Sequence, residues 1–128
     1  MRSKKTKQAQ KALRAFYSSW IKSREIPEVY NNSLRARVLV NSVVSCRETS
    51  HYASLSPVAR EMVLTGLTDI LRYARKTGEF PPKANAGQSR FTRLINLERN
   101  VKGLGTAKLT VGVLPDGRLV QYCITATC

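Results

Sequence analysis

Between Gly87 and Gly103 the chain reads GQSRFTRLINLERNVKG. Wound as a helix from about Ser89 to Lys102, this stretch puts Phe91, Leu94, Ile95 and Val101 on one side. Ser89, Thr92, Arg93, Asn96 and Asn100 fall on the other. These polar side chains are competent to read base edges. Arginine offers two parallel donors to guanine, and asparagine a donor and an acceptor to adenine. Serine and threonine hydroxyls serve bases or phosphates. Arg90 and Arg93 also occupy the first turn, where the helix dipole disfavours cations. A phosphate at that helix end would satisfy dipole and side chain together. The plain alternative is a polar, solvated outer face, and the helix taken alone favours that alternative.

A second set lies near the N-terminus. At helical spacing, Ala9, Ala12, Leu13, Phe16, Tyr17 and Trp20 form one face of residues 4–22. Lys4, Lys7, Lys11, Arg14 and Lys22 lie opposite, and no acid precedes Glu25. A merely solvated face mixes signs, so this one is read as a contact for phosphates. The whole chain agrees with it: 22 Lys plus Arg against 8 Asp plus Glu give a net charge of +14. Such an excess works against compactness and is usually kept for a polyanionic partner. Nucleic acid ranks first and an anionic membrane surface second.

Other chemistries are poorly supplied. Cys46, His51, Cys123 and Cys128 include every cysteine and the only histidine. Together they have the composition of a Cys3His zinc site. The four-residue gaps depart from the usual knuckle, and cysteine is commonly a small core residue. No metal or other cofactor is therefore expected. The acids are scattered, unlike the clustered carboxylates of metal-dependent nucleases. Cys46 with His51 lacks a third, orienting group. No glycine-rich phosphate loop is present. The chain is read as one that binds rather than catalyses.

The elements that must position these residues are read as follows. A basic amphipathic helix occupies residues 1–24, a helical core 25–103 and a β-hairpin 104–128, in one domain of 128 residues. Ser33 is placed as the cap of a second helix to about Arg47, although the β-branched Val38, Val40, Val43 and Val44 make a strand an alternative for part of it. Ser56 and Pro57 open a third helix with Met62, Val63, Leu67, Ile70, Leu71 and Ala74 on its core face, stopped by Gly78. Leu109 to Cys123 alternates around Leu114-Pro115-Asp116-Gly117 and reads as a hairpin. The fold class expected is mainly α with a C-terminal β-hairpin. A basic helix followed directly by a hairpin is also the order of recognition helix and wing in a winged helix-turn-helix domain. Arg118, beside the turn, would then be the wing's contact to the backbone.

From this follows a small basic nucleic-acid-binding protein, with duplex DNA preferred over RNA, acting as a regulator or as an accessory of replication or packaging. A nucleic-acid-packing coat or nucleocapsid subunit, of viral or phage type, is one alternative. In that role, pairing of the hairpin across a two-fold axis would make a homodimer. A cationic inhibitor docked on an acidic enzyme surface is another. No segment is apolar for the length of a membrane span, and no apolar region follows the basic start as in a signal peptide. The expected location is cytoplasmic, associated with the nucleoid or, in a eukaryotic host, nuclear.

Overall fold

The structure, a computed structural model, describes residues 4–41, 44–46, 49, 56–82 and 88–127. Helix α1 spans Lys4–Lys22, and its buried face is the predicted one except at Ala12, which is exposed. Ala9, Leu13 and Tyr17 are buried, and Phe16, Trp20 and Ile21 pack partly buried against the core. Two short strands follow, β1 (Glu28–Asn31) and β2 (Ala36–Leu39), paired antiparallel. Here the expected second helix is corrected. Val38 and Val40 turn into the main core and Leu39 to the other side, which is the alternation of a strand. Ser33 caps no helix; its Oγ accepts a hydrogen bond from the Lys76 N–H at 3.0 Å.

Helix α2 spans Pro57–Tyr73 and begins as read. Ser56 is the N-cap, its hydroxyl accepting from the Ala59 N–H at 3.2 Å, and Pro57 sits where its missing N–H costs nothing. The expected stop at Gly78 is wrong. The helix ends at Tyr73, because residues 75–80 are taken up as a strand.

The remaining strands are β3 (Arg75–Phe80), β4 (Arg93–Val101), β5 (Gly105–Val113) and β6 (Leu119–Thr127), with a 3₁₀ turn at Gln88–Arg90. All six strands form one mixed sheet in the order β1-β2-β6-β5-β4-β3. Only β2 and β6 run parallel. The expectation of a mainly helical domain with a lone hairpin is therefore overturned, and with it the winged-helix arrangement. The segment cast as the recognition helix is β4, paired residue for residue with β5 from Arg93↔Val113 to Val101↔Gly105. The hairpin itself exists, closed by Gly117 at φ 91° and a Gly117 N–H to Leu114 carbonyl bond of 2.8 Å. Its strands lie in the middle of the sheet, flanked by β4 and β2.

The inner face of the sheet meets the helices. Ile95, Leu97, Ala107, Leu109, Val111 and Ile124 join Leu13, Met62, Val63, Leu67, Ile70 and Leu71 in the main core. Each large side chain buried there contributes about 1.5–3 kcal/mol. A smaller cluster of Val44, Phe91, Leu94, Val120 and Tyr122 covers part of the outer face. A bulge divides the two. Thr110 pairs with Cys123 and Val111 with Gln121, so Tyr122 is the extra residue on β6. Val120 and Tyr122 therefore face outward while Ile124 faces in, which separates residues that strict alternation groups together.

One buried side chain ties the edges of the sheet to α2. Asn31, fully buried, donates from Nδ2 to the carbonyls of Leu71 at 2.7 Å and Ala74 at 3.0 Å. Its Oδ1 accepts from the Leu34 N–H at 2.7 Å. The last carbonyls of a helix lack partners within the helix. Asn31 supplies them, and the Asn32 N–H adds a bond to Arg72 O at 2.9 Å. The turn after β1 is thus held against the junction of α2 and β3, and the sheet curls around the core.

Candidate nucleic-acid interface

Lys7, Lys11, Arg14 and Lys22 are all exposed on α1. From Lys7 to Lys22 the helix rises about 22 Å. Among the described residues none of the four makes an ion pair. Lys4 begins the helix, but its side chain lies outside the described residues. The sequence forms this face because its apolar residues recur at helical spacing and its small ones, Ala12, Ala15 and Ser19, cost nothing when exposed.

The face is held from beneath. The Tyr17 hydroxyl donates to Gln121 Oε1 at 3.0 Å, and Gln121 Nε2 donates to Thr49 Oγ1 at 2.6 Å. Ser45 Oγ donates to the Gln121 carbonyl at 2.6 Å. Gln121, Thr49 and Ser45 are fully buried, so every polar atom in this cluster needs its partner. Burial pushes the Tyr17 hydroxyl well above the usual tyrosine range. The tyrosine is held neutral, as a donor, and fixes the roll of α1.

The residues nominated for base reading are dispersed by the fold. On a strand, positions an odd number apart point to opposite faces. Asn96 and Asn100 are exposed on the outer face, while Arg93 points the other way. Arg93 lies 3.8 Å from Glu79, which already holds Lys76 at 2.7 Å. The Lys76 ammonium, and after it the Arg93 charge, hold the Glu79 carboxyl below the usual range. Thr92 is occupied by the Val113 carbonyl at 3.2 Å. The Ser89 side chain lies outside the described residues. Arg90 is exposed in the 3₁₀ turn. Arg118 is exposed at the hairpin turn but paired with Asp116 at 2.7 Å. Its N–H and guanidinium together hold the Asp116 carboxyl below the usual range.

The outer face instead presents cross-strand rows that sequence reading missed. Glu98 stands between Arg75 on β3 and Lys108 on β5. Next to that row, Thr77, Asn96, Thr110 and Thr125 line a shallow groove of about 360 Å³. The available signal was the alternation of Ile95, Leu97 and Val101 with Asn96, Glu98 and Asn100.

Cys46 belongs to the main core and Cys123 to the outer cluster; both are buried. His51 and Cys128, the other members of the Cys/His set, lie outside the described residues. Among the described residues no three His, Cys, Asp or Glu side chains are grouped as a metal site. No described helix is long and apolar enough to cross a membrane. Comparison with protein-family models, curated proteins and solved structures found no match for this chain.

Proposed function

We propose that this protein binds nucleic acid through the phosphate backbone, by way of the exposed face of α1, and acts by binding rather than by catalysis. The observation that carries this reading is the unmatched charge of Lys7, Lys11, Arg14 and Lys22 on a helix without an acid. Some of the cations elsewhere are answered, whereas none of these four is among the described residues. Arg37 has Glu28, Lys76 and Arg93 share Glu79, Arg99 has Asp69 and Arg118 has Asp116. A helix that must keep like charges three and four residues apart loses a few tenths of a kcal/mol per pair. Phosphates along a strand offset that loss and release their counterions.

A base-reading helix is not part of this function, since Arg93, Asn96 and Asn100 lie on a strand, with Arg93 on the face opposite the two asparagines. Binding of this kind positions the protein without selecting a sequence. Self-association through the β3 edge of the sheet is disfavoured. The β3 edge carries Arg75 and Lys76 and a bulge between Lys76 and Gly78, features that blunt pairing with a second chain.

The test is an equilibrium titration of the chain against labelled oligonucleotides of mixed sequence at several salt concentrations. Four phosphate contacts give log K against log salt a slope of about −3. Affinity that stays flat between ~50 and ~200 mM salt overturns the reading.

A further inference from the structure

A crevice of about 460 Å³ opens between α1 and α2, on the flank of α1 away from the basic face. Phe16, Trp20 and Tyr73 line it, with Leu64, Leu67 and Arg72. Along its wall α2 is interrupted. Gly66 has φ −149° and ψ 26°, outside the helical region, and a Cβ there would meet nothing within 4 Å. Tyr73 is 43% exposed although it is aromatic. Trp20 is oriented from two sides. Its Nε1 donates to Thr68 Oγ1 at 3.1 Å, and the Arg24 guanidinium lies 4.0 Å over its ring. Arg24 donates to the same hydroxyl at 3.0 Å. Arg99 stands 5.0 Å over Tyr73 and pairs with Asp69 at 3.2 Å, so the one acid lining the crevice is answered. Arg72 is exposed and has no ion-pair partner among the described residues.

We infer that this crevice takes an unstacked base of a single-stranded nucleic acid, its ring against Trp20 and Tyr73 and its phosphate on Arg72. The inference rests on the nucleic-acid reading above and names the strand that the α1 face serves. Pre-oriented aromatic rings beside a guanidinium form a stacking platform, and stacking is tolerant of sequence because every base has a π face. A duplex keeps its bases paired and stacked, and it presents none to such a crevice. The path between the two sites is smooth. At 100° per residue, Ala12, Ala15 and Ser19 separate the basic face from Phe16 and Trp20, and all three are exposed. A strand leaving Arg72 can cross these small side chains and continue along Lys11, Arg14 and Lys22.

Trp20 is the chain's only tryptophan, so its fluorescence reports on the crevice. The experiment titrates the full chain with oligothymidylate of about twelve nucleotides, within the range bound by single-strand platforms. A mixed-sequence duplex of equal length is run beside it. Trp20 emission and the anisotropy of the labelled nucleic acid are followed together. Quenching by the single strand and not by the duplex is expected. Tyr73→Ala should weaken single-strand binding about fivefold or more and leave duplex binding unchanged, with Tyr73→Phe restoring it. Arg72→Gln gives a second, independent loss. A rise in anisotropy with unchanged emission, and no effect of Tyr73→Ala or Arg72→Gln, overturns the crevice while the α1 reading stands. No anisotropy change with either nucleic acid overturns both.

Discussion

Helix α1 and strand β4 carry the two sets of polar side chains that the sequence offers for nucleic acid, and the fold treats them differently. On α1, Lys7, Lys11, Arg14 and Lys22 share one face and have no acidic partner among the described residues. On β4 the equivalent residues are divided. Arg93 and Arg99 point to the helix side, where Glu79 and Asp69 answer them. Asn96 and Asn100 point outward around Glu98. A set of competent side chains is therefore a surface only when the period of its element keeps the set together. Period 3.6 does so for spacings of three and four, and period two does not.

The sharpest way to break this contrast is to show that β4 is not a strand of a curled sheet. Asn31→Ala removes the partner of two α2 carbonyls and of the Leu34 N–H. It should cost about 3 kcal/mol in chemical denaturation, since each unsatisfied buried group carries ~1–3 kcal/mol. If Asn31 lay in an exposed connector between helices, the cost would stay within about 0.5 kcal/mol.

Gly112 tests the outer side of the same sheet. A Cβ there would stand 2.5 Å from the Phe91 ring. Gly112→Ala should therefore destabilise by about 2 kcal/mol, as overpacking does, and Gly112→Ala with Phe91→Leu should recover part of it. An alanine that stabilises, as in an open hairpin strand, would contradict the placement of Phe91 across the sheet.

Tyr17 sharpens the α1 side. The folded protein holds the proton on this hydroxyl more tightly than the unfolded chain does. A group raised in this way gives stability that is complete below its unfolded value, near pH 10, and is lost as pH rises through the folded one. Stability of the wild type should fall more steeply above about pH 10 than that of Tyr17→Phe. At neutral pH the variant should be about 1 kcal/mol less stable, because Gln121 Oε1 loses its donor. Parallel pH profiles for the two proteins would show that α1 is not fixed through this bond.

The smallest effect belongs to residues that the sequence reading named for base contacts. Asn96→Ala and Asn100→Ala should each change binding to any oligonucleotide by less than about 0.5 kcal/mol. Selection from a random duplex pool should yield no enriched sequence. A loss of ~1–3 kcal/mol on one preferred site would restore base reading to the outer face of the sheet.

These contrasts also explain what was legible. The face of α1, the Ser56-Pro57 start of α2 and the Pro115-Asp116-Gly117 turn are local signals, and local chemistry decides them. Residues 93–101 were ambiguous. Leu94, Ile95, Leu97 and Val101 fit one side of a helix, while Ile95, Leu97 and Val101 also fit one side of a strand. Arg99 at the fourth inward position hid the alternation, and its partner Asp69 is thirty residues away. Leu94 is buried on the opposite face in a cluster with Val44, Val120 and Tyr122, which no local window contains. Likewise Arg75–Phe80 became a strand because β4 offered an edge, so Gly78 marks a bulge rather than a helix stop. The cations of α1 were found because their signal is both local and periodic. The crevice beside Trp20 was missed because it needs α2 as its second wall.

The central claim is that the unmatched cations of α1 hold phosphate. Its most direct measurement compares the salt dependence of nucleic-acid binding for the wild type and for Lys7→Gln/Lys11→Gln/Arg14→Gln/Lys22→Gln. All four positions are exposed, so the variant should keep the wild-type circular dichroism and melting behaviour. The claim predicts weaker binding to every sequence and a salt slope reduced by about 3. An unchanged slope in a folded variant would place the phosphate contacts elsewhere and contradict it.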